Sequence, residues 1–334
     1  MSLWQIGATH YLTKPVWESN VARFGIDIWM TTTALADGFR VCQSFLGAKI
    51  HDAKDPGADL ASMFVQVVSS VFDLMSTYRE RWPAVDGATE VPLFGFPHGV
   101  GLEPVAVNTG RMLGIFRQGA RDLREVWQRA LDPQTLAEVA AAAESPAEPF
   151  HFPDRLWVRA VYDFAAAYHH RVLPGDQLIG SMVPLYLGRT ASFVLQTAES
   201  GVDEVEAAIR GLADEFVRQK GYLLNARAAA EARRQLAVDG WGQARVDAYP
   251  TLLQPWLRRV VARQEGEVRV GLLSLWRPHR IAWGRFAEPP PEALAALRDS
   301  ADVDLFVWFA MGQVTWRVAE QHGIRTVEIE DLRF

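Results

Sequence analysis

Residues 60–82 read LASMFVQVVSSVFDLMSTYRERW, and this run decides how the rest of the chain divides. Leu60, Met63, Phe64, Val67, Val68, Val71, Phe72, Met75 and Tyr78 keep the i, i+3, i+4, i+7 spacing of one buried helical face. Asp55-Pro56 or Asp59 caps its start. Trp82-Pro83 ends it, because a residue before proline is driven out of helical geometry. A Gly/Pro-rich passage, Asp86 to Glu103, breaks the pattern. Its Gly95, Gly99 and Gly101 have the letters of a phosphate loop, but no strand leads in and Pro104 follows, so an ordinary loop is expected.

Downstream the chain reads as mainly helical: Thr109 to Ala130, Pro133 to Ala143, Asp154 to His170 with Asp154 as its cap, Arg189 to Ala198, Asp203 to Tyr222 and Asn225 to Ala237. A Pro/Glu-rich joint, Glu144 to Phe152, interrupts it. Upstream, a strand-like approach (Val21 to Phe24) passes Gly25 into a short helix over Asp27 to Asp37, closed by Gly38. Phe39 to Phe45 reads as a strand, continued with a kink by Gly47 to His51. The tail changes character. Val268 to Trp276, Val303 to Phe309 and Arg325 to Ile329 are β-branched or aromatic runs, with helical segments expected at Pro291 to Arg298 and Gln313 to Gln321. Such alternation suggests a small module with a parallel sheet. The expected organisation is α/β over residues 1–58, a mainly α-helical domain over 59–240, and a small C-terminal α/β module over 241–334.

A formal charge of −6 argues against a general nucleic-acid or membrane-surface binder. Cys42 is the single cysteine, so no internal disulfide forms and a reducing compartment is the default. No stretch is expected to supply the about 20 apolar residues a membrane span needs. The N-terminus also lacks the basic segment and cleavage site of a secretion signal, so the expectation is a soluble cytoplasmic protein.

Two positions stand out chemically. Asp27, at a helix start, either receives helix N–H donors or aims at a hydroxyl in an adjacent cleft. His51 ends a strand beside the polar run Asp52-Ala53-Lys54-Asp55, a setting for a metal ligand or for a hydrogen-bonded surface histidine. His169 and His170 are neighbours on a helix, point about 100° apart, and cannot chelate one ion together. Asp302-Val303-Asp304 has the letters of a sugar-nucleotide metal motif but precedes its hydrophobic run, so a turn is expected there.

The run Arg23-Phe24-Gly25-Ile26-Asp27-Ile28-Trp29-Met30-Thr31-Thr32, continuing into Ala36 to Phe39 and Leu46 to His51, resembles a stretch of bacterial and archaeal glycosyltransferases related to mannosylglycerate synthase and glucosyl-3-phosphoglycerate synthase. Met63 to Val67, Trp157 to Phe164 and Pro184 to Arg189 are similar too. The resemblance implies part of a GT-A sheet in residues 1–58, a helical C-terminal region, and a retaining transfer of sugar from a nucleotide-sugar donor to a small acceptor, aided by Mg²⁺ or Mn²⁺. It implies that His51 is a metal ligand, that Asp27 lies beside the acceptor hydroxyl and the anomeric carbon, and that Lys49 and Lys54 meet phosphate or stand solvated. Family members carry their nucleotide-binding strands and DxD pair before the block that here begins at Arg23. The expectation is therefore a truncated enzyme, inert alone, completed by a protein partner or by self-association. A second expectation is a non-catalytic scaffold derived from such an enzyme. A third is a small-molecule site at Trp276-Arg277-Pro278-His279-Arg280, after the first strand of the tail.

Overall fold

The computed structural model describes residues 10–44, 60–96, 107–251, 254–264, 266–275, 279–288, 297, 300–310, 312–321 and 324–333. Lys49, His51, Lys54 and the expected helix Pro291 to Arg298 lie outside the described residues, apart from residue 297 of that helix. The chain mixes helix and sheet, helices first and small antiparallel sheets after, in two units, Met1–Lys220 and Gly221–Phe334.

In the first unit the helices are α1 (Ile26–Ala36), α2 (Ala61–Thr77), α3 (Thr109–Asp122), α4 (Arg124–Ala130), α5 (Pro133–Glu144), α6 (Asp154–His169), α7 (Gly175–Thr197) and α8 (Val202–Arg218). α2 forms where its periodicity places it, with Phe64, Val65, Val68, Val71, Phe72 and Met75 on the core. Helix α1 closes on Gly38, whose φ of 85° suits a residue without a side chain, while Phe39 N–H donates to Ala34 O at 2.9 Å. Val21 to Phe24 is not strand-like: Asn20–Ala22 is a single 3₁₀ turn whose Ser19 Oγ accepts the Val21 N–H at 3.2 Å. Nor does a strand form over the described part of Phe39 to Phe45, where only Gln43 makes an isolated parallel bridge, to Leu93.

The centre of the unit is α7, which begins 14 residues earlier than Arg189, the expected start. Pro184 lies inside it and lacks an N–H for the Gly180 carbonyl. The helix runs through because α3 packs on the proline face. A Cβ on Gly119 would stand 2.5 Å from Pro184 Cβ, and one on Gly188 would stand 2.7 Å from the Phe116 ring, so both glycines are required for this approach. The Trp127 indole N–H donates to Ser181 O at 2.9 Å. By length and hydropathy α7 would also pass for a membrane span, but 61% of its apolar window is buried inside the unit, as in a bundle's core helix. The cap of α6 is Pro153 rather than Asp154, whose carboxylate instead pairs with the buried Arg189 of α7.

The second unit opens with α9 (Lys220–Val238, from Gly221 onward), followed by β1 (Arg245–Thr251), β2 (Gln254–Gln264), β3 (Glu267–Ser274) and β4 (Gly284–Ala287) in one antiparallel sheet of order β1-β2-β3-β4. Ala228, Ala229, Ala232 and Leu236 of α9 cover the face bearing Val246, Ala248, Val260, Ala262 and Leu273. Helix α10 (Ala301–Phe309) and the hairpin of β5 (Val314–Gln321) with β6 (Ile324–Asp331) complete the unit. Three expectations are corrected here. The sheets are antiparallel, Val303 to Phe309 is helical, and Gln313 to Gln321 is a strand preceded by a turn at Gly312 (φ 72°). In β5, Trp316 and Val318 are more sheltered than Arg317 and Ala319, which is the period of a strand.

The last residues carry an acid-sensitive contact. Asp331 accepts the Arg333 backbone N–H at 2.8 Å and its guanidinium at 2.6 Å. Burial pushes the Asp331 carboxyl up, but the Arg333 bonds outweigh it and hold the carboxyl below the usual range. The depressed folded-state value means the contact stabilises above the unfolded carboxylate pKa and is lost as pH falls through the folded one. Asp331→Asn is expected to cost about 1 kcal/mol near neutrality and nothing at strongly acidic pH, checked by urea midpoints across the acid range.

Candidate functional site

The expected site centres on the first turn of α1, and the local fold fixes that turn on α2. Gly25 caps α1 through its backbone, and a Cβ there would lie 2.0 Å from Ser70 Oγ, so only glycine lets α1 start this close to α2. The Phe24 N–H donates to Gln66 Oε1 at 3.4 Å. Trp29, one turn further on, is buried against Tyr11 and Trp17 with ring centroids 5.6 and 5.7 Å away. At the far end of α1, Asp37 accepts from His10 at 2.7 Å and from Lys14 at 3.0 Å.

Asp27, the second helical residue, is exposed and makes no hydrogen bond or ion pair among the described residues. Of its two expected roles, side-chain capping is therefore not realised. What remains is a solvent-facing carboxylate at a positive helix end. The three residues expected around it, His51, Lys49 and Lys54, lie outside the described residues. Among the described residues no group of three or more His, Cys, Asp or Glu side chains is arranged to hold a metal ion. Asp302 and Asp304 are not in a turn; they occupy the first turn of α10, where an i, i+2 spacing sends them to different sides of the helix. His169 ends α6 and contacts Ser76 Oγ at 3.1 Å through Nδ1.

One polar contact went unread in the sequence. The Tyr168 hydroxyl donates to Asp73 Oδ1 at 3.1 Å, tying α6 to α2. Burial raises the Asp73 carboxyl, and burial followed by the Asp73 charge pushes the Tyr168 hydroxyl up to about 12. A tyrosine so held keeps its proton at neutral pH, so the pair links helices rather than exchanging protons. Its signal was a lone carboxylate between Phe72 and Leu74 in an otherwise uncharged helix.

Comparison with protein-family models, with curated proteins and with solved structures finds no match.

Proposed function

We propose that this chain carries the acceptor-side and helical parts of a retaining, metal-dependent glycosyltransferase that moves sugar from a nucleotide-sugar donor to a small acceptor. The supporting observation is convergence. The block around Asp27 is bonded to Gln66 and packed on Ser70, beside the similar block Met63 to Val67. Helix α2 in turn packs on α6 and α7, which carry Trp157 to Phe164 and Pro184 to Arg189. Stretches that share wording with one enzyme family, though far apart in sequence, thus meet in one packed body.

Asp27 is assigned to the acceptor hydroxyl or to the positive charge that develops on the sugar. His51 is assigned to the metal, with Lys49 and Lys54 beside the donor phosphates. When bound, Mg²⁺ or Mn²⁺ supplies charge neutralisation to the departing diphosphate.

A scaffold role is the second reading. Phe24, Ile28, Met30, Leu35 and Phe39 are exposed around α1, and Phe94 and Phe96 are 73% and 83% exposed. Such apolar surface suits a partner in either reading.

Calorimetric titration with Mn²⁺ and UDP- or GDP-sugars separates the two. Expected is metal-dependent binding, weakened at least about tenfold in His51→Ala. Asp27→Asn should retain binding, and its unfolding free energy should stay within about 0.5 kcal/mol, because the side chain is exposed and makes no bond among the described residues. Absence of metal-dependent binding would discard the transferase reading and leave the scaffold.

A further inference from the structure

His279 and Arg280 of the second unit line a cleft that the proposed transferase reading does not use. The cleft, of about 460 Å³, lies on the sheet face opposite α9 and is bordered by Arg259, Val270, Leu272, His279, Arg280 and Phe286. Its volume falls in the range that takes small organic ligands.

Strand register explains how these residues meet. Arg259 of β2 stands opposite Leu272 of β3, and Val270 stands opposite Gly284 of β4, so the four positions share one face. Gly284 contributes no side chain, which leaves the space beside Val270 and Phe286 open. A Cβ built there meets only ordinary contacts, the nearest being Phe286 Cε2 at 3.5 Å.

The edge of the cleft is fixed by hydrogen bonds. His279 Nε2 donates to Leu272 O at 3.1 Å, the Gln235 amide donates to His279 O at 3.0 Å, and the Ile281 N–H donates to Gln235 Oε1 at 2.9 Å. Arg259 is steadied by Leu332 O at 3.4 Å, and Arg280 by Asp239 at 3.1 Å. Arg280 remains 82% exposed and Leu272 43% exposed. The polar side chains of the lining are two arginines and a histidine, and no carboxylate is among its described residues. An apolar floor under a cationic rim matches one ligand chemistry, an anionic group on a flat apolar body.

We propose that this cleft binds a small organic anion, a phosphate monoester or carboxylate attached to a flat apolar or aromatic group, with Arg259 and Arg280 on the anion and Leu272 and Phe286 on the ring. The site is independent of the proposed transfer chemistry, and its failure would leave that reading untouched.

The test is titration of the whole chain with naphthyl phosphate, naphthoate, neutral naphthol and inorganic phosphate, followed by intrinsic fluorescence and by amide shifts at Gly271 and Gly284. At least one of the two aromatic anions should bind saturably and at least about tenfold tighter than naphthol or inorganic phosphate, weakening with added salt. Preference for the phosphate or for the carboxylate then identifies the anion. Arg280→Gln and Gly284→Leu change an exposed side chain and fill open space respectively, so both should fold. Each should weaken binding about tenfold. Equal binding of naphthol, unchanged affinity in a folded Gly284→Leu protein, or no saturable binding of either anion would overturn the assignment.

Discussion

Trp127→Ala should destabilise the first unit by about 4 kcal/mol, measured as a shift in the denaturant midpoint. The side chain is 1% exposed and belongs to the main core cluster, beside the Gly119 and Pro184 contact of α3 with α7. Deleting it removes the transfer free energy of an indole and opens a cavity that two glycine-mediated helix contacts cannot collapse to fill. Trp127→Phe separates the terms. It keeps most of the apolar volume but forfeits the bond to Ser181 O, and should cost about 1–2 kcal/mol. If Trp127→Ala cost no more than Trp127→Phe, the α3–α7 packing described above would be wrong.

The second expectation is an asymmetry between the partners of a buried charge. Arg189 is 6% exposed, bonded to Asp154, and stacked 5.5 Å from the centroid of Phe193. Its Nε and Nη1 are buried without a hydrogen-bond partner among the described residues. Burial pushes the guanidinium pKa down, and Asp154 pushes it back up. Asp154→Ala leaves that cation buried and uncompensated, for a loss of about 3 kcal/mol. Arg189→Met removes the charge, fills the same slot with an unbranched apolar chain, and should be neutral or stabilising within about 1 kcal/mol. The double variant should recover most of what Asp154→Ala loses. Equal losses in both single variants would show that the pair contributes real stability, and would refute the argument.

What the sequence disclosed followed from periodicity. Helix α2, Pro133 to Glu144 and the Gly38 stop on α1 were legible because an apolar stripe, a proline at a helix start and a glycine at a helix end each have one cheap structural outcome. Helix α7 was only half legible. It is apolar on nearly all sides, so it has no stripe, and Pro184 looks like a terminator unless the α3 face that accommodates it is known. In the second unit the strands β1 and β2 were hidden by charge. Arg258 of β2 is 2% exposed on the helix-facing side of the sheet, a face that Arg269 of the legible strand β3 shares at 7%. Arg269 tolerates that place because its guanidinium lies 3.6 Å from the Trp241 ring centroid and 2.9 Å from Glu267. Val303 to Phe309 shows the opposite failure: β-branched and aromatic residues in a helix, where local preference is a weak prior against context. Of the candidate site, the start of α1 and the exposure of Asp27 are described, while its remaining members lie beyond the described residues.

The placement of α7 also bears on how the chain is made. The helices with which it makes its main contacts in the first unit, α2, α3, α4 and α6, all precede it in sequence. During synthesis, therefore, a segment greasy enough to be mistaken for a membrane anchor leaves the ribosome only after the helices that make its main contacts have emerged. A chain rearranged so that Gly175 to Thr197 came first would expose that segment with nothing to receive it, and would be the form most prone to aggregate or to be diverted to a bilayer.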